Sequence, residues 1–167
     1  MSLLVIVTIV SCAVGLIFLS VVLYGAPYLP TRRTRILEAI DLLDLQPGQL
    51  LLELGSGDGR ILRAAARRGI RGIGYELNPF LVIYSRVLNL RYRGLIHIKL
   101  ENYWQSILPP CDGIYVFLLN PYMTRLDAKL TREIQRPVKV LSFAFPIPTR
   151  VAVTEQNGLL LYVYGNA

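Results

Sequence analysis

Residues 50–59 read Leu50-Leu51-Leu52-Glu53-Leu54-Gly55-Ser56-Gly57-Asp58-Gly59. The solid apolar run Leu50–Leu54 is too short for a helix and is closed by glycine, so it predicts a strand buried on both faces, the kind found inside a parallel sheet. Three glycines then let the chain turn tightly and approach a ligand closely before a helix expected over Gly59–Arg68. Their spacing of i, i+2, i+4 departs from G-x-G-x-x-G and from the P-loop, which also needs a Gly-Lys-Ser/Thr ending absent here. A strand, a glycine loop and a helix in that order form a nucleotide cradle.

Outward from this loop the chain keeps alternating. An amphipathic helix precedes it, over Thr31–Leu45, with Ile36, Leu37, Ile40 and Leu43 at helical spacing. After it come a strand at Gly72–Tyr75, a helix at Pro79–Arg91 with proline in its first turn, strands at Leu95–Leu100 and Gly113–Leu119, a helix at Tyr122–Ile134 and a strand at Val138–Phe145. Asn157-Gly158 between β-prone runs at Val151–Thr154 and Leu159–Tyr164 marks a hairpin. The expected fold is α/β, a Rossmann-like and mostly parallel sheet ending in a C-terminal antiparallel hairpin.

The acids beside the glycines narrow the ligand. Carboxylates at Glu53 and Asp58 repel a pyrophosphate but suit a ligand that carries ammonium and sulfonium groups, which is S-adenosylmethionine. Glu76, seventeen residues past Gly59 at the end of the second strand, is placed to accept both hydroxyls of a ribose at the sheet's switch point, with Leu77 beside it. Asn102 and Tyr103, after the third strand, are candidates for holding the adenine, and Trp104 is a candidate for stacking or for the core. The cofactor-binding set is therefore Glu53, Gly55, Ser56, Gly57, Asp58, Gly59, Glu76, Leu77, Asn102 and Tyr103. Asn120-Pro121-Tyr122, after the fourth strand, reads equally as a helix cap with proline at its first position and as a group that orients an acceptor amine.

Composition sets the surroundings. With 167 residues, 53% of them apolar and 17% charged, and a mean hydropathy of +0.46, the chain is one domain carrying something made for lipid; intrinsic disorder is excluded. Leu3–Tyr24 holds no charge and as a helix spans roughly 33 Å, enough for a bilayer core. It is too long, and lacks the positive leading segment, for a cleaved signal peptide. Residues 1–24 are thus expected as a transmembrane anchor, 25–30 as a stiff junction and 31–167 as the catalytic domain. Arg32, Arg33 and Arg35 follow the span and nothing positive precedes it, so the domain is expected on the cytoplasmic side. Two distant cysteines, Cys12 and Cys111, support neither a disulfide framework nor a metal site, and a single histidine, His97, reads as a structural or edge residue. No metal is expected. The net charge of +7 would suit nucleic acid, but the anchor and the lack of a separate recognition domain argue against it.

The runs Gly25–Thr31, Leu52–Ile61, Ala64–Gly69 and Gly74–Pro79 together resemble the small membrane-anchored class I, seven-strand methyltransferases, among them the mitochondrial enzymes that methylate lysines of the adenine nucleotide translocase and of the ATP synthase c-subunit. The resemblance covers roughly residues 25–145 and also takes in Ser142–Pro146 at the end of the fifth strand. It implies a seven-stranded sheet, S-adenosylmethionine as cofactor and, as acceptor, a protein lysine on a membrane-associated partner. The short tail after Pro148 departs from the family by leaving no room for a helix between strands five and six. Transfer to another amine, to a small-molecule or lipid-borne acceptor, and a non-catalytic adaptor that only binds the cofactor are the alternatives.

Overall fold

A computed structural model describes residues 2–24 and 33–165, the side chains at 13, 14, 16–24 and 33 excepted. The junction at 25–30, with Thr31 and Arg32, lies outside the described residues. Leu3–Tyr24 forms α1, a helix of 22 residues. Among the described residues no helix is long and apolar enough to cross a membrane; the described side chains of α1 run unbroken only from residue 3 to residue 12. The bilayer crossing expected there accordingly rests on sequence.

The domain follows as α2 (Arg33–Leu43), β1 (Leu50–Leu54), α3 (Arg60–Ala66), β2 (Arg71–Glu76), α4 (Pro79–Leu88), β3 (Ile96–Leu100), β4 (Gly113–Val116), α5 (Met123–Glu133), β5 (Val138–Phe143), β6 (Thr154–Gln156) and β7 (Leu159–Tyr164). Short 3-10 turns occupy Leu90–Tyr92 and Asn120–Tyr122. The strands form one sheet in the order β3-β2-β1-β4-β5-β7-β6. The first five run parallel, while β7 inserts antiparallel between β5 and β6. The order reverses between β1 and β4, and that switch point opens a crevice at the strands' C-terminal ends.

Alternation along β1 explains why its apolar run is continuous. Leu51 packs with α2 and α3, whereas Leu52 and Leu54 pack with α5, so both faces of the strand are buried. On the α5 side Met123, Leu126 and Leu130 repeat at helical spacing and are fully enclosed. The Asp112 carboxylate accepts a 2.8 Å hydrogen bond from the Leu50 amide and fixes where β1 begins.

Several expected elements are shorter than their patterns, and the strand expected over Val151–Thr154 forms instead at Thr154–Gln156, where the tight turn brings it into register with Leu159–Leu161. The helix expected over Pro79–Arg91 stops at Leu88, because the Asn89 side chain turns back to donate to the Ser85 carbonyl at 2.7 Å. The strand expected over Gly113–Leu119 ends at Val116, where pairing with β1 and β5 runs out. No helix separates β5 from β6. In the hairpin, Asn157 and Gly158 both have positive φ (55° and 78°), the condition for a type I′ turn, and Gln156 pairs directly with Leu159. His97 lies exposed on the edge strand β3. Cys12 and Cys111 are free thiols.

Candidate functional site

The glycine loop sits at the switch point. Gly55, Gly57 and Gly59 all adopt left-handed φ (87°, 52° and 70°), a region in which a Cβ is strained. Gly55 opens onto free space, with nothing within 4 Å of where a Cβ would stand. Gly59 meets the opposite condition: a Cβ there would come within 2.5 Å of Ser85 Oγ and 2.7 Å of Asn89 Nδ2. One glycine keeps the crevice clear and another lets α3 seat against α4.

Glu76 ties the loop to β2. Its Oε2 accepts from the Gly57 amide at 2.8 Å, and its Oε1 accepts from the amides of Leu77 and Asn78 at the same distance. Three backbone N–H groups on one carboxylate make a preorganised, charged corner at the end of β2. Asn78 in turn caps α4, accepting from Phe80 and Leu81, with Pro79 at the first helical position.

Glu53 is the unusual group. It is 4% exposed, and burial, followed by the nearby Asp58 and Glu76 carboxylates, pushes its carboxyl well above the ordinary range; the Leu62 backbone offsets this only in part. Its Oε2 has no hydrogen-bond partner, and neither has the buried Ser56 hydroxyl. Buried polar atoms without partners cost free energy that a bound polar ligand can offset. The residues present fit S-adenosylmethionine on this ground: an orphaned oxygen on the desolvated acid Glu53 and an orphaned hydroxyl on Ser56, beside an open glycine.

Asp58 is engaged differently from Glu53. Its carboxylate accepts from Arg60 Nε at 2.8 Å and Nη2 at 3.0 Å, and Arg63 stands 3.6 Å away. Two guanidiniums thus answer its charge within α3. Residues that local sequence does not single out support this corner: Asn89 and Ser85 are buried and bond one another beneath the loop. Their signal is faint, an i, i+4 polar pair in an apolar helix.

The wall across the crevice is aromatic. Asn102 Oδ1 accepts from the Trp104 amide at 3.0 Å and folds the turn after β3. Tyr103 is buried, and desolvation drives its phenol far upward; Arg125, Tyr122 and Glu76 are its charged or titratable neighbours. Ring centroids lie 4.8 Å apart for Tyr103 and Trp104 and 6.4 Å apart for Trp104 and Tyr122, and the Arg125 guanidinium rests 4.4 Å above Trp104. Asn120 and Pro121 are exposed and Tyr122 is half-buried in the 3-10 turn that leads into α5. The fold therefore gathers residues 53–59, 76–77, 102–104 and 120–122 at the sheet's C-terminal edge. Among the described residues no cluster of His, Cys, Asp or Glu could hold a metal ion.

Known proteins resemble this chain in sequence and in fold. A model of the ANTKMT methyltransferase domain matches residues 53–154. The human lysine N-methyltransferase of the ATP synthase c-subunit is 34% identical over 124 residues, covering 73% of this chain and 53% of that protein. The mouse adenine nucleotide translocase lysine N-methyltransferase is 35% identical over 126 residues, 74% of this chain and 55% of its own. A protein-lysine N-methyltransferase of Saccharolobus islandicus is 26% identical over 152 residues, with 83% and 94% covered. Among solved structures, an RNA methyltransferase from Salinibacter ruber with S-adenosyl-L-homocysteine superposes with a TM-score of 0.74 at 25% identity, covering 81% of this chain and 92% of that one. The chain spans about half the length of the vertebrate relatives it matches. Strand order, antiparallel hairpin, glycine loop and the match over residues 53–154 agree, and the chain belongs to the ANTKMT methyltransferase family, on the class I methyltransferase fold.

Proposed function

We propose that the chain is an S-adenosylmethionine-dependent protein-lysine N-methyltransferase that acts on a membrane-associated protein. The observation that carries this reading is the pair of orphaned buried atoms, Glu53 Oε2 and Ser56 Oγ, beside the open Gly55 and the amide-bound Glu76. The cofactor, when bound, supplies an electrophilic methyl group on a positively charged sulfur. Glu53 meets that ligand's cationic end, Glu76 with Leu77 its ribose, and Asn102 and Tyr103 its base. Relatives from vertebrates and an archaeon carry lysine N-methyltransferase in their names, which supports lysine as the acceptor.

The acceptor must be neutral to attack. A free lysine has a pKa of about 10.4, so presenting it as an amine at pH 7 costs roughly 4–5 kcal/mol. The aromatic wall lowers that cost by excluding water, and the Arg125 cation over Trp104 opposes a second positive charge. Asn120 and Tyr122 orient the amine, with Pro121 holding the turn; positioning, rather than a base, is the chain's contribution.

Helix α1 spans the bilayer in this reading, and Arg33 and Arg35 with the preceding Arg32 hold the domain at the cytoplasmic surface. Its 22 residues without a charge support that placement. Tethering confines enzyme and substrate to one surface and raises their effective concentration. Membranes incubated with the full chain and methyl-tritiated cofactor should yield label in methyl-lysine after acid hydrolysis. Label in the organic extract would assign a lipid-borne acceptor, and cofactor binding without transfer to any fraction would assign an adaptor; both would overturn the reading.

A further inference from the structure

Helix α4 wears its polarity inside out. Its buried positions are Val82 and Ser85, followed by Asn89. Its bulky apolar side chains face away from the sheet: Phe80 is 45% exposed, Ile83 61%, Tyr84 54% and Val87 59%, and Leu90 just beyond is 62% exposed. Positions 80, 83, 84 and 87 follow the i, i+3, i+4, i+7 rule of a single stripe. Helix α5 in the same domain shows the ordinary arrangement, with Leu126 and Leu130 enclosed and Arg125 and Arg132 in solvent. A contiguous exposed apolar stripe of this kind marks a surface that something covers.

Charge names the occupant. From Leu77 to Ile98 the chain carries Arg86, Arg91 and Arg93 and no acid, while Lys99 just beyond pairs with Glu101 at 3.5 Å. Arg91 and Arg93 are exposed, and Arg86 lies along the sheet edge, donating to the Ile98 carbonyl at 2.7 Å. An apolar stripe rimmed by cations is the composition of a helix lying in the interface of an anionic bilayer, its Tyr at the headgroup level. A second copy would bring the same cations to the same seam, so self-association is opposed. We propose that the outer face of α4 docks flat on an anionic lipid surface. Asn78, which caps α4, adjoins Glu76, so docking holds the mouth of the crevice against the membrane and offers the site to chains that emerge from it. The contact stands apart from the crossing by α1 and does not depend on which acceptor is methylated.

The test uses the full chain in phosphatidylcholine vesicles with and without phosphatidylglycerol. Cys12→Ser removes the exposed thiol, and Cys111 is buried. Nitroxide labels are placed by Ile83→Cys or Val87→Cys, with Glu155→Cys on β6, at the opposite sheet edge, as reference. With phosphatidylglycerol present, labels at 83 and 87 should be reached by lipid-dissolved oxygen and shielded from a water-soluble nickel chelate, while the label at 155 shows the reverse. Replacing Arg91 and Arg93 by Gln should shift the docked-to-free ratio by about fivefold for each arginine. Labels at 83 and 87 as open to nickel as that at 155 would overturn the proposal. So would spin–spin broadening at 83 from label to label, which would assign the face to a second copy. Cofactor affinity of the labelled chains, measured alongside, reports folding and the crevice separately, so loss of docking and loss of the methyltransferase reading are distinguishable.

Discussion

At the scale of single residues, Glu53 and Glu76 divide the work of one crevice. Glu76 is a carboxylate already satisfied by three amides, whereas Glu53 is buried without a partner for Oε2. Its raised pKa means the folded chain holds a proton there that the unfolded chain gives up. The free protein therefore loses stability as pH rises above the ordinary carboxyl value of 4.5 toward the folded value. Glu53→Gln should flatten that decline in thermal melts, while weakening S-adenosylmethionine binding at least tenfold in calorimetry. Because a cationic ligand favours the charged carboxyl, binding to the native chain should release protons, seen as a dependence of the binding heat on buffer ionisation; the variant should release fewer. An unchanged proton count would separate Glu53 from the ligand. Glu76→Ala frees the amides of Gly57, Leu77 and Asn78 at once and should cost about 2–4 kcal/mol of stability, together with cofactor binding.

Between elements, the loop is a spacer whose backbone decides how close α3 and α4 approach. Gly59→Ala combines a left-handed φ with a Cβ driven into Ser85 and Asn89. It should lower stability by roughly 2–4 kcal/mol in urea unfolding. Gly48→Ala has similar φ but open space around it, and should cost only about 1 kcal/mol. Equal losses would show that crowding against α4 plays no part. On the other side of the crevice, the 3-10 turn at Asn120–Tyr122 is anchored by the Tyr122 amide donating to the Leu119 carbonyl at 3.0 Å. Tyr122→Ala leaves that backbone intact, so methyl transfer should fall roughly tenfold to a hundredfold with cofactor affinity unchanged.

For the molecule as a whole, two acids brace α5 against the rest of the domain and set its acid limit. Asp127 accepts from Tyr164 at 2.7 Å and from Arg150 at 2.5 Å, and also from Thr149. Glu133 accepts from the buried Lys129 at 2.7 Å and from the Leu108 amide at 3.1 Å. Desolvation opposes ionisation at both, yet these donors hold both carboxyls below their ordinary values. Depressed values give stability that is present above the ordinary values of 3.8 and 4.5 and is lost as pH falls through the folded ones. Melting points should thus drop below about pH 4, and Asp127→Asn should shrink the drop. A variant with the same acid limit would place the brace elsewhere.

Much of this molecule is local and so was legible along the chain. A buried strand is an apolar run because both its faces are covered, and Leu50–Leu54 is β1 to the residue. The hairpin follows from Asn157-Gly158, whose left-handed φ needs no distant partner. Glycines 55, 57 and 59 announced the loop, since only a special backbone calls for them so closely spaced. What tertiary structure alone decided is where charge and solvent go. The three acids at 53, 58 and 76 look alike in sequence, yet arginines answer one, amides answer both oxygens of another, and the third keeps one buried oxygen without a partner. The stripe on α4 has the spacing of a core-facing helix, and only the packed sheet reveals that it points outward. Periodicity fixes which side chains share a face; burial and pairing depend on neighbours brought together from far along the chain, and those the fold supplies.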